Sequence, residues 1–398
     1  MLNNWNYTEP EISVLELAGR VRERMAAMGN LSDDAVLEIC EEEAAIRGIS
    51  DLKRYAYTVR QLFCSLRREL EILQDYADDP EVSEIMVNGT DRIFIERLGR
   101  IEQLPIRFES KYQLEQIIQR LAARVGREMN DLNPIVDARL SDGSRVNAVN
   151  SNIAIGGPIL TIRKFGNKKI LMEDLIRSGS LSREAADFMI GAVRGGANIF
   201  VSGGTSSGKT TFLNVLSDYI PPEERLIVIE DSAELQIRGS ENLVRMETKN
   251  ANAQGKGEVT IRDLIKTSLR MRPDRIIVGE VRGEEAADML SAMSTGHDGS
   301  LSTGHANSPS GMLGRLESMV FSATDIPIEA IRSQIVNAID LIVQLERKNG
   351  RRRLVEICEL GAVRDGEIEL NPLFIRDGDG NLVRTGNEII RKSRIGAI

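Results

Sequence analysis

The sequence predicts an α/β protein: a parallel sheet flanked by helices in its second half, a smaller antiparallel α+β domain before that, and a helical bundle at the start. Three observations carry this reading. From Ile199 onward, short apolar runs alternate with stretches of helical spacing, the signature of a parallel sheet covered by helices. Between Ile85 and Phe165, short β-type runs are separated by Asn88-Gly89, Leu98-Gly99 and Ser141-Asp142-Gly143-Ser144, which are turn and hairpin signals. Residues 11 to 73 show helical periodicity alone.

The parallel half is organised around Asn198 to Ile220. Ile199-Phe200-Val201 reads as a buried strand, and Phe212, Leu213 and Leu216 follow at helical spacing. Between them, Gly203-Gly204-Thr205-Ser206-Ser207-Gly208-Lys209-Thr210 is a full match to G-x-x-x-x-G-K-[ST]. Glycines let the backbone turn its N–H groups inward around a phosphate, and the helix N-terminus adds partial positive charge. In this pattern Lys209 reaches the β- and γ-phosphates and the Thr210 hydroxyl holds Mg²⁺. Gly203, Gly204, Thr205, Ser206, Ser207, Gly208, Lys209, Thr210 and Thr211 are therefore the expected nucleotide-binding set.

Bulk properties narrow the class. A chain of 398 residues predicts two or three domains, each with its own core. A net charge of -9 and a pI near 5.2 argue against general affinity for nucleic acid or anionic lipid. Cys40, Cys64 and Cys358 lack metal-ligand spacing and read as thiols of a reducing compartment. The opening MLNNWNYTEPEIS has neither a basic region nor an apolar core, so no signal peptide is expected. No apolar run approaches the roughly 18 residues that cross a bilayer. A cytosolic protein is expected, whose membrane role, if it has one, runs through a partner.

Taken in order, the first domain (residues 1–74) holds three helices. One runs through Leu17, Val21 and Met25 until Gly29 stops it; Ser32 caps a second that ends near Gly48; Ser50 caps a third that continues to Leu73. Asp75 to Pro80 is an acidic, turn-rich junction. The second domain (75–166) contains strands at Ile85 to Val87, Arg92 to Glu96, Ile101 to Leu104, Ile135 to Leu140, Arg145 to Val149 and Leu160 to Phe165. One main helix, carrying Leu114, Ile117, Ile118 and Leu121, completes it. Residues 167–180 read as a linker, and 181–398 as the parallel-sheet domain, entered through a helix capped by Ser182. After Asn349-Gly350 the tail turns strand-rich, an antiparallel extension.

Two further strands end in acids. Leu226 to Ile229 runs into Glu230-Asp231, and Ile276 to Gly279 runs into Glu280. In a parallel sheet both tips lie on the carboxyl edge beside the phosphate loop. Glu280 is the expected residue for orienting or deprotonating an attacking water; Glu230 and Asp231 are candidates for reaching Mg²⁺ through waters. The aspartate that usually precedes such a glutamate is replaced by Gly279. The chain's two histidines, His297 and His305, share a Gly/Ser/Thr-rich segment just past Glu280, placed to sense a γ-phosphate or to couple neighbouring subunits. Arg270, Arg272 and Arg275 lead into the Glu280 strand, and Arg282 follows it. Arg145 and Arg163 lie on strands of the preceding domain, where an arginine is ordinarily part of a solvated face.

Together these stretches resemble the secretion ATPases of the type II/type IV secretion and pilus superfamily, and are most similar to the CpaF-type ATPases of the tight-adherence (Flp) pilus. The resemblance rests on Asp79 to Gly89, Val136 to Asn147, SGGTSSGKTT at 202–211, Ile229 to Leu235, Leu269 to Gly283 and the two-histidine segment, covering about 80 to 345. It implies a hexameric ring that hydrolyses ATP with Mg²⁺ between a PAS-like N-domain and a RecA-like C-domain, and that drives an inner-membrane platform from the cytoplasmic face. It makes Glu280 the catalytic glutamate and brings Arg145 and Arg163 to the γ-phosphate. The expected catalytic set is thus Glu280, Arg145, Arg163, His305, His297 and Arg270, with Thr210 and Glu230 toward the metal. The sequence departs from the family pattern at Ser206-Ser207, at Gly304 before the second histidine, and at Gly126 to Asn130. Rival readings are a RecA-like motor pulling nucleic acid, a guanine-nucleotide switch, for which no Asn/Thr-Lys-x-Asp match occurs near a strand end, and a regulatory binder without turnover.

Overall fold

The computed structural model describes residues 14–28, 31–49, 51–140, 142–164, 170–249, 251, 256–391 and 395. The expectations placed on the N-terminal thirteen residues and on Gly29, Ser50, Ser141, Phe165 and Asn167 lie outside the described residues. The chain divides into two compact units, Met1–Lys168 and Lys169–Ile398.

The first unit opens with α1 (Val14–Met28), α2 (Asp33–Ile46) and α3 (Leu52–Arg67). Their amphipathic stripes meet in a small core of Leu17, Val21, Val36, Ile39, Val59 and Leu62. Ser32 caps α2 by accepting from the Ala35 amide, and α3 is capped by Asp51, which accepts from Arg54. The third helix does not continue to Leu73. It ends at Arg67, and a short 3₁₀ turn at Glu71–Leu73 leads into α4 (Gln74–Asp78). The reason is tertiary: Glu71, at φ 47° and 5% exposed, pairs with Arg120 at 2.5 Å and accepts from Gln113 at 2.8 Å. That tether turns Leu70 and Leu73 into the core of the following sheet.

That sheet has the order β3-β2-β1-β6-β5-β4, antiparallel throughout. Its strands are β1 (Val82–Asn88), β2 (Arg92–Arg97), β3 (Arg100–Gln103), β4 (Ile135–Arg139), β5 (Arg145–Val149) and β6 (Ile159–Arg163). Strand alternation puts Ile85, Val87, Val146 and Ile162 in one core with Leu114, Ile117 and Leu121 of α5 (Lys111–Arg124). The opposite set of side chains includes Glu84, Arg163, Arg145 and Arg139, which lie directly across from one another in register.

The second unit is a nine-stranded sheet, β15-β14-β13-β12-β7-β11-β10-β8-β9. Six strands are parallel: β7 (Ile199–Gly203), β8 (Leu226–Glu230), β9 (Leu243–Glu247), β10 (Arg275–Val281), β11 (Leu301–Gly304) and β12 (Leu341–Lys348). The tail is not a separate appendage. β13 (Arg351–Arg364), β14 (Glu367–Arg376) and β15 (Leu382–Arg384) continue the same sheet antiparallel from β12. α6 (Met172–Arg177), α7 (Arg183–Arg194) and α8 (Lys209–Ser217) contribute to the core on one face. The second core takes α9 (Ile261–Ser268), α10 (Glu285–Met293), α11 (Pro309–Ala323) and α12 (Ile328–Ala338). The stretch read as a linker is therefore partly built in: it contains α6, whose Met172 is buried with α7 and β7.

Candidate nucleotide site

β7 is buried along its whole length and delivers the loop to the carboxyl edge at the middle strand of the sheet. Ser206 takes φ 57° and Gly208 φ 99°, so the chain bends twice through the left-handed region before α8 begins at Lys209. A Cβ on Gly203 would stand 2.5 Å from Ser207 Oγ and 2.6 Å from the Leu345 carbonyl, so only glycine fits where the loop leaves the strand. Lys209 Nζ, 7% exposed, donates to the carbonyls of Gly203 and Gly204 at 3.1 Å each and to His305 Nδ1 at 3.2 Å. Burial pushes its pKa below the usual ammonium range. Thr205 and Ser206 are exposed, Gly204, Thr210 and Thr211 are half-buried, and the buried Ser207 hydroxyl oxygen has no hydrogen-bond partner.

Glu280 stands on the neighbouring carboxyl edge, at an irregularity. β10 pairs with β11 through Ile277↔Leu301 and Val278↔Ser302 but then Val281↔Gly304, so one extra residue is inserted at Gly279-Glu280. Such a bulge re-aims the side chain that follows. Thr303 Oγ donates to the Gly279 carbonyl at 2.7 Å and holds the bulge. Arg282 donates to Glu280 Oε2 at 2.7 Å, and His305 Nε2 lies 2.6 Å from Oε1 as a charge contact that is not an aligned hydrogen bond. Burial alone would raise the Glu280 pKa; the Arg282 hydrogen bond, with the charges of Arg282, His305 and Lys209, outweighs it and holds the carboxyl below the usual range.

Gly279, in the place of the usual acid, has a structural reason. A Cβ there would sit 3.0 Å from Glu230 Cγ. Glu230 is 4% exposed, and its Oε1 accepts from the amides of Glu234 at 2.7 Å and Leu235 at 2.8 Å. Burial raises its pKa against those two donors. Its carboxylate thus braces the turn after β8. The acid that meets Thr210 is Glu234, whose Oε2 accepts from the Thr210 hydroxyl at 3.3 Å. Of the acids after β8, Glu230 is thus engaged with backbone amides, and Glu234 is the one hydrogen-bonded to Thr210. A residue four places past a strand tip carries no periodic signal, so Glu234 does not stand out in the sequence.

β11 separates the histidines: His305 follows its carboxyl end, whereas His297 precedes its amino end and bonds through Nδ1 to the Ala292 carbonyl at 3.0 Å, at the end of α10. Arg270 follows α9 and precedes β10, so it lies exposed at the amino edge, away from the loop of its own unit. Arg145 and Arg163 belong to the first unit, directly opposite each other on β5 and β6, and Arg139 extends their row, a neighbour visible only from register. From the tail, Arg352 Nε donates to the Ser206 carbonyl at 3.2 Å, and its Cδ is the atom that a Cβ on Gly208 would meet at 3.2 Å.

The donor set suits a nucleotide with magnesium. The space beside Gly204 is open, the Ser207 oxygen and Glu280 Oε1 are buried without hydrogen-bond partners, and Thr210 offers a hard oxygen. Among the described residues no group of three or more His, Cys, Asp or Glu is arranged to hold an ion. Among them, too, no helix is long and apolar enough to cross a membrane.

Comparisons with known proteins identify the family. The family model "Type II/IV secretion system protein" matches residues 67–367. The probable conjugal transfer protein TrbB of Sinorhizobium fredii (strain NBRC 101917 / NGR234) is 33% identical over 325 residues, 81% of this chain and 95% of its own. The type IV secretion system protein PtlH of Bordetella pertussis (strain Tohama I) is 32% identical over 318 residues, 72% of this chain and 93% of its own. The crystal structure of the pilus retraction motor PilT with bound ADP aligns with TM-score 0.51 at 20% identity, over 82% of this chain and 85% of that one, a likeness of fold. The chain belongs to the type II/IV secretion system protein family.

Proposed function

We propose that the chain is a magnesium-dependent ATPase that works as a motor for secretion or pilus assembly and retraction, and that its branch is the tight-adherence (Flp) pilus type. The observation that carries the reading is the convergence of Lys209, Glu280 and His305 at the head of α8, with contacts of 3.2 and 2.6 Å. In this reading the loop amides and Lys209 bind the β- and γ-phosphates, and Lys209 exchanges its carbonyl partners for phosphate oxygens. Glu280, kept ionised by Arg282, orients water and takes its proton. Thr210 and Glu234 hold magnesium, which when bound neutralises developing phosphate charge. Arg145 and Arg163, on β5 and β6 of the first unit, are the proposed source of mobile positive charge for the γ-phosphate.

A homo-hexamer, a cytoplasmic position at the inner membrane and a polytopic platform partner complete the proposal. The test is hydrolysis by the full chain with Mg²⁺-ATP, combined with its mass in solution. Turnover abolished by Lys209→Ala, in a particle six times the chain mass, supports it. Stimulation by DNA would favour a motor on nucleic acid instead, and absence of ATP binding would overturn the reading.

A further inference from the structure

Arg352 lies outside every motif in the loop region, yet it touches that loop at two points. Its Nε donates to the carbonyl of Ser206 at 3.2 Å, and its aliphatic stem lies over Gly208, where an added Cβ would come within 3.2 Å of Cδ. Those two residues have the left-handed backbone angles that shape the loop, φ 57° and 99°. For a serine this conformation costs free energy, so an outside contact must help to hold it. Glycine at 208 both permits the angle and leaves space for the stem.

The base of this contact is fixed. Arg352 sits just after the Asn349-Gly350 turn of the β12–β13 hairpin, and β12 itself pairs with β7, Leu345 opposite Gly203. The Arg352 carbonyl accepts from Ser180 Oγ at 2.9 Å, and the next-but-one amide, Leu354, donates to the Ser180 carbonyl at 2.9 Å. Arg376 of β14 donates to the Leu354 carbonyl at 2.7 Å and to the Ser180 carbonyl at 2.8 Å. The hairpin is thus held on both sides of the arginine.

We propose that Arg352 is a positioning residue for nucleotide binding: it tethers the bend at Ser206 to the antiparallel extension, so that the loop amides face the phosphates before they arrive. This deepens the ATPase reading and rests on it for the effect on affinity. A pre-ordered loop loses less freedom on binding, which appears as affinity. The effect on turnover at saturation is smaller, because Arg352 contacts loop backbone and not the reacting atoms.

The experiment uses the full chain and three variants. Arg352→Met keeps the stem over Gly208 but has no donor; Arg352→Lys keeps stem and charge; Arg352→Ala removes all three. With Mg²⁺-ATP, Arg352→Met should raise KM roughly two- to fivefold, the loss of one exposed hydrogen bond from a charged group, with a much smaller change in kcat. Arg352→Lys should recover part of that loss. In protein without nucleotide, amide exchange across residues 203–208 should be faster in Arg352→Met than in the wild type, while exchange in β14 stays the same. Unchanged KM and unchanged loop exchange in Arg352→Met overturn the assignment. Failure of the wild type to bind ATP would instead sink the ATPase reading, and loop exchange alone then decides whether the tether exists. If Arg352→Ala misfolds, Arg352→Met carries the test.

Discussion

His305 Nε2 lies 2.6 Å from Glu280 Oε1, while Nδ1 of the same ring lies 3.2 Å from the Lys209 ammonium. An ammonium only donates, so Nδ1 is the bare nitrogen and Nε2 carries the proton. The ring therefore bridges the lysine of the loop and the carboxylate at the tip of β10, beyond β11 from the loop strand, and each of the three side chains has an assignable protonation.

Replacing Glu280 by Gln keeps the shape and removes the proton acceptor. ATP binding should persist and kcat should fall at least about a hundredfold, as for loss of a general base. Nucleotide binding and single-turnover hydrolysis, measured side by side, check this. Normal turnover in the variant would remove Glu280 from the chemistry.

The His305 imidazole is held below its usual value of 6.5, first by burial and then by Lys209, against the opposing pull of Glu280. The ring is then neutral through the neutral range, and kcat/KM should be flat there and fall only as the pH drops below the ordinary imidazole range. Folding stability has the same sign: it is complete above the unfolded value and is lost as the pH falls through the lower folded value, since the unfolded chain takes the proton more readily. His305→Gln should erase the inflection in both curves.

Gly304, where the family has an apolar residue, packs against aromatic bulk. A Cβ there would lie 2.9 Å from the buried Phe200 ring. Gly304→Ala should destabilise the protein by about 1–3 kcal/mol through overpacking. Phe200→Leu in the same chain should recover part of that loss, a coupling read from a double-mutant cycle of urea unfolding.

Arg145 and Arg163 lie opposite each other on an antiparallel pair. Arg145→Ala should slow hydrolysis by about a hundredfold or more if the side chain meets developing phosphate charge. Its unfolding free energy should stay within about 0.5 kcal/mol. Unchanged hydrolysis would return the row to an ordinary solvated face.

Chelation should stop turnover, and Thr210→Ala should raise the magnesium concentration needed to restore it. A magnesium titration of hydrolysis measures the shift. Glu234→Gln should move the same titration in the same direction, whereas an effect from Glu230→Gln alone should appear as lost stability, because its oxygen holds two backbone amides.

Local period and spacing were enough to read the fold class, most helices and strands, and the loop with its lysine. Ile199 to Thr210 needs no distant residue to be read as a strand entering a phosphate bend. Glu280 was legible for the same reason, as an acid ending an apolar strand. Tertiary structure alone decided what depends on register and on contacts between residues far apart in the chain. The end of α3 was set by Glu71 meeting Arg120, forty-nine positions away. β11 separated His297 from His305, and Glu234 took the place beside Thr210 because Glu230 was already engaged. Arg352 reached Ser206 across 146 positions. Such pairings satisfy buried polar groups wherever the folded chain brings a partner, and no local pattern records where that will be.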